Sequence, residues 1–155
     1  MKLVIALCLA LHGLPAQAAE FSISGLKIGD TVCDKNSLGV CPVWDNGTQP
    51  ECASIFNHAG GEVFVTYYFK ENIFTGATIL FDSKKFSKFV SYYEKEFGAE
   101  PVISKEKKDF DGEMMNNKIA VWKINEMEFI VEKYKSYKRG FAYMKSSAAN
   151  SPFID

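Results

Sequence analysis

The sequence predicts an α+β domain: an antiparallel sheet of about five strands with one main helix packed on one face. The expected order is strand-strand-helix-strand-strand-strand, preceded by a Cys-containing loop region. Three observations carry this expectation. Two alternating apolar runs stand one turn apart, a single helical stripe follows them, and three more strand-like runs are joined by short polar links.

In chain order, FSISGLKIGD from Phe21 to Asp30 starts with alternation and ends in Gly29-Asp30, a short strand or extended lead-in. The stretch from Asp30 to Gly61 is rich in Gly, Pro, Asn and Asp and shows no sustained period, so it reads as a long loop that its cysteines organise. From Glu62 the run VFVTYYF puts Val63, Val65, Tyr67 and Phe69 on one face and Phe64, Thr66 and Tyr68 on the other. A turn at Lys70, Glu71 and Asn72 leads into IFTGATILF, from about Ile73 to Phe81. So short a link implies an antiparallel hairpin.

Asp82 or Ser83 offers a side-chain oxygen to cap a helix. Phe86, Phe89, Val90, Tyr93 and Phe97 then fall at i, i+3, i+4, i+7 and i+11, forming one apolar stripe. Gly98 and Pro101 end the helix. After a charged loop from Lys105 to Asp111 come KIAVWKI from Lys118, MEFIVEKY from Met127 and GFAYMK from Gly140. The links Asn125-Glu126 and Lys135 to Arg139 make these a meander.

Residues 1–19 read as a secretory signal peptide, with Lys2, an apolar run from Leu3 to Leu11 and Ala16-Gln17-Ala18 before the cut. Residues 20–155 then form a single exported domain, periplasmic or secreted. Cys8 leaves with the signal, since Leu7 before it does not suit a lipid anchor. No later run approaches the ~20 apolar residues of a transmembrane helix. Loss of Lys2 leaves seventeen basic residues against nineteen acidic ones. That balance speaks against nucleic acid. Lysines gather in the second half, as a solvated face or as a surface for an acidic partner or lipid headgroups.

Export leaves Cys33, Cys41 and Cys52, which most simply form one disulfide with one thiol left over. Cys41 with Cys52 is favoured, because PVWDNGTQPE between them can reverse the chain. Either pairing of Cys33 stays open. The odd thiol is inert or joins two chains covalently. A zinc set of Cys33, Cys41, Cys52 and His58 lacks the close CxxC spacing that pre-orients thiolates, so no metal or other cofactor is expected. DFDGE, with Asp109, Asp111 and Glu113, lacks the oxygen set of a calcium loop. Asn46-Gly47-Thr48 matches a glycosylation sequon by chance. No P-loop, GxGxxG, HExxH or GxSxG pattern occurs, and no catalytic residue is assigned.

The opening GLKIG, the Cys-containing loop, the hairpin TYYFKENIFTGATILF, the helix ending KEFG before a proline and the later strand carrying Trp122 resemble a loose class of small exported bacterial proteins of unknown function. The resemblance covers most of the mature chain and implies no catalytic residues. The expected function is therefore non-enzymatic binding, with another protein as the partner, through a sheet face bearing Phe64, Tyr68 and Trp122. The alternatives are a small secreted enzyme pairing a reactive Cys with His58, and an envelope-associated structural protein held by lysines. Composition fixes neither the partner nor the oligomeric state.

Overall fold

The computed structural model describes residues 21–41 and 51–146, with side chains through Met144. The signal peptide, the Asn46-Gly47-Thr48 sequon and most of the segment between Cys41 and Cys52 lie outside the described residues. A small hairpin of β1 (Ser22–Ile23) and β2 (Leu26–Lys27) opens the fold. Then come β3 (Glu51–His58), β4 (Gly61–Lys70) and β5 (Ile73–Asp82), the helix α1 (Phe86–Phe97), and β6 (Val102–Phe110), β7 (Glu113–Ile124), β8 (Met127–Ser136) and β9 (Arg139–Ser146).

The seven long strands form one antiparallel sheet in the order β3-β4-β5-β9-β8-β7-β6. Two meanders thus meet where β5 pairs with β9. Between them α1 carries the chain across one face, so that β6 begins at the far edge and the second meander walks back to the middle. Each hairpin turn within the meanders spans two residues, with a positive φ at Ala59, Glu71, Asp111, Asn125 or Lys138. That left-handed geometry matches the twist of the flanking strands.

This architecture corrects the expected α+β class. Among the described residues the fold is mostly β, with a seven-stranded sheet, a two-stranded sheet and a single α-helix. The five expected strands and the helix are present; the two additional strands of the large sheet are β3 and β6, its edges. β3 lies in the stretch read as a cysteine loop, and β6 takes in all but the last residue of the segment read as a charged loop, 105–111. An edge strand has a neighbour on one side only, so its sequence need not alternate cleanly or be apolar.

One face of the sheet is packed under α1. Phe86, Phe89, Val90, Tyr93 and Phe97 of α1 are all buried, the same five positions as the sequence stripe. Phe89 stacks on Phe81 with ring centroids 4.0 Å apart, and Tyr93 meets Phe129 at 4.3 Å. Between those two contacts the register lines up Ala120, Val131, Ala142 and Ile79 across four strands. Their small to medium size gives the helix room to sit close, and burying each large side chain of the stripe contributes about 1.5 to 3 kcal/mol. At Gly140 a β-carbon would overlap the Phe81 ring. The expected cap is real but displaced: Asp82 accepts from Lys84 N, capping a 3-10 turn over Ser83–Lys85 that leads into α1.

The N-terminal segment covers a further part of that face. Phe21 stacks on Phe129 at 5.2 Å, and the Ser24 hydroxyl bonds the Tyr67 hydroxyl at 2.8 Å. Further on, Phe74 N donates to Asp30 O, Val32 N donates to Asn72 O, and Thr31 bridges Ile73. The segment therefore straps the β4–β5 turn before reaching β3.

Candidate interaction surface

Strand pairing decides what the opposite face displays, because side chains directly across a ladder point the same way. The register sets Ile55 beside Phe64, Phe64 beside Leu80, Leu80 beside Phe141, Phe141 beside Glu132, and Glu132 beside Ile119. The neighbouring row runs Ala53, Thr66, Thr78, Tyr143, Ile130, Val121 and Val102. These rows lie on the face away from α1. At the β3 end the apolar row is open to solvent, with Ile55 65% and Phe64 41% exposed.

Ile55, Phe64 and Leu80 floor an open trough of about 630 Å³, rimmed by Glu62, Asp82, Lys85 and Arg139. Two carboxylates and two cations around an apolar floor suit a side chain or loop that brings an apolar anchor flanked by charge. Tyr68 lies further along the same face, half-buried, with its hydroxyl 3.3 Å from the Thr78 hydroxyl.

Trp122 does not belong to this surface, which corrects one of the three expected positions. It is 3% exposed and shares the helix-facing side with Ala120 and Ile124. Its indole N–H donates to Ala99 O at 2.8 Å, and its ring meets Phe97 at 5.7 Å. In KIAVWKI both alternating sets mix lysine with apolar residues, so the pattern shows a strand without showing which side is in. Ile55 was hidden for a different reason, since it stands in the stretch read as loop. No alternation marked it, because in ECASIFNH each alternating set mixes apolar with polar residues.

Toward the β6 side the outer face holds a buried polar group. The Glu132 carboxylate accepts from Lys108 Nζ at 2.8 Å and from Asn117 Nδ2 at 3.0 Å. Asn117 Nδ2 also donates to Glu106 at 3.0 Å, while its carbonyl accepts Tyr134 N at 2.8 Å. The β7–β8 register ends at Ile119 and Glu132, and the β8–β9 register shifts just beyond Glu132. The Asn117 amide thus stands in for a missing backbone partner where the ladder opens. Burial, and then the Glu132 charge, push the Tyr143 phenol up to about 12.

The cysteine question resolves as Cys41 joined to Cys52, with Cys33 free and exposed. The disulfide withdraws two of the four ligands of the zinc set. Cys33 follows Val32 at the β4–β5 turn, whereas His58 pairs with Gly61 at the other end of β4. Ten strand residues at ~3.3 Å each separate them by roughly 30 Å. His58 Nε2 is instead 2.8 Å from the Tyr93 hydroxyl, amid Phe56, Phe89 and Tyr92, and burial lowers its pKa. Asp109, Asp111 and Glu113 bracket the β6–β7 turn, where Asp109 Oδ1 accepts Gly112 N. Among the described residues, no three His, Cys, Asp or Glu side chains are grouped to hold a metal ion.

No family model, curated protein or solved structure matches the chain. No helix among the described residues is long and apolar enough to cross a membrane. The disulfide and the lack of such a helix are compatible with an exported protein.

Proposed function

We propose that this chain is an exported, non-enzymatic binding domain that engages another protein through the sheet face opposite α1, centred on Phe64 with Ile55 and Leu80. The observation that carries this reading is the cross-strand row Ile55-Phe64-Leu80-Phe141. An antiparallel sheet whose second face only meets water carries mostly polar side chains there. Here a continuous apolar row ends in two exposed large side chains beside a charged rim, the make-up of a protein-protein contact. The signal-like N-terminus and the disulfide support an exported setting. The rival enzyme reading needs a thiol and an imidazole within hydrogen-bond reach, and Cys33 and His58 stand at opposite ends of β4.

A photo-crosslinking residue at position 64, in protein exported by its own host, should give a discrete protein adduct. The same residue at Lys88 on the helix should give none. Ile55→Asp should abolish the position-64 adduct while leaving the melting temperature within a few degrees, because Ile55 is 65% exposed. Equal labelling from both positions, or an adduct indifferent to Ile55→Asp, would sink the proposal.

A further inference from the structure

The sheet has a second unpartnered feature, far from Phe64. Among the described residues β6 pairs only with β7, which leaves its outer edge without a strand partner, and Val102 and Ile103 on it are 75% and 51% exposed. Lys105 faces Lys118 directly across β6–β7. On β8 the register with β7 ends at Glu132, the partner of Ile119, and Lys133 is the next residue. Like charges opposite each other in a ladder are destabilising, and no ion pair among the described residues engages Lys105, Lys107, Lys118 or Lys133. Lysine on an edge strand can serve to discourage pairing. That role accounts for Lys105 and Lys107, but not for Lys118 and Lys133 on inner strands.

The edge sequence Lys105-Glu106-Lys107-Lys108-Asp109 is antisymmetric in charge about Lys107. A two-fold axis through Lys107, normal to the sheet, sets Lys105 against Asp109 of a second copy and Glu106 against Lys108, each pair twice and each on a matching face. Only Lys107 then meets its own like. Centring the axis on Glu106 sets Glu106 against itself and Lys105 against Lys107; centring it on Lys105 gives no opposite-charge pair. We infer that β6 pairs antiparallel with β6 of a second copy of this chain, about a two-fold axis at Lys107, forming a fourteen-stranded sheet. The partner's carboxylate at position 109 then faces Lys105 beside Lys118, supplying a negative charge that no ion pair among the described residues supplies there. An isologous contact of this kind is self-limiting, and addition of a strand to an open edge is a common mode of recognition.

The test uses the mature chain carrying Cys33→Ser, so that the exposed thiol cannot join two copies. Sedimentation across a wide concentration range should show a monomer-dimer equilibrium that weakens as salt is raised. Lys105→Asp alone, or Asp109→Lys alone, turns two attractive pairs into two repulsive ones and should weaken the dimer about tenfold or more. The double exchange Lys105→Asp with Asp109→Lys should restore it. Since Asp109 also holds the turn through Gly112 N, a second readout is needed. Lys107→Cys in the same background puts a thiol on the axis, at the ~5 Å backbone spacing a disulfide accepts. Mild oxidation should then give a covalent dimer, and Lys105→Cys should not. A monomer at every concentration, no rescue by the exchange, or equal crosslinking at 105 and 107 would overturn the inference. The outcome is independent of the Phe64 surface, which lies toward the opposite edge.

Discussion

The two edges of the sheet are finished in different ways. β3 is pinned near its start: Val40 exchanges two backbone hydrogen bonds with Ala53, both 2.8 Å, and Cys41 is tied to the wholly buried Cys52. Gly39 allows the close approach, with φ near 139° and a β-carbon position that would overlap the Ala53 carbonyl. β6 has no such cover among the described residues and carries charges of both signs from Lys105 to Asp109. One edge is therefore secured within the chain, covalently and by backbone pairing, and the other is left to interact through charge. A sheet needs only one sealed edge to escape open-ended polymerisation, and the second is then free to make a single, registered contact.

Removing the seal should have the largest effect. Cys41→Ala with Cys52→Ala opens a link between residues eleven apart, which in the chain-entropy account costs about 3 kcal/mol. Loss of the buried Cys52 sulfur adds to that. Urea unfolding of the double variant, or of the native protein with and without reductant, measures the difference. A change under ~1 kcal/mol would mean that the Val40-Ala53 bridge and strand packing hold β3 by themselves.

How much was legible in the sequence follows the same division between edge and centre. β4 and β5 announced themselves because both neighbours demand alternating, β-forming side chains, and α1 because five large residues recur on one stripe. β3 escaped because its place depends on a disulfide and a bridge to Val40, neither of which leaves a period. β6 escaped because an edge rich in lysine looks like a loop. In the candidate site, Phe64 and Tyr68 could be placed by alternation within β4. Trp122 could not, since only the packing of Ala120 under α1 decides which side of β7 faces inward.

A smaller effect is expected at the end of β3, where His58 closes the hairpin against α1. Burial holds its pKa below the ordinary 6.5, so the unfolded chain binds a proton there more readily than the folded one. Stability should be fully present above about pH 6.5 and decline as pH falls through the folded pKa. Thermal melts from pH 7.5 to 5 should show that decline, and His58→Asn should flatten it relative to the parent. An unchanged slope would assign the acid sensitivity to other groups.

The smallest effect belongs to the open edge. Val102 is 75% exposed and pairs only with Val121, so Val102→Ser in dilute protein should shift stability by no more than about 0.5 kcal/mol. Concentration makes this variant informative. If a second copy covers β6, the cost of removing an apolar side chain beside the contact should grow as the protein is concentrated, whereas an edge that only meets water has no reason to respond. A loss above ~1 kcal/mol already present in dilute solution would instead mean that β6 is covered within the single chain, and the contrast between a sealed and an open edge would fall.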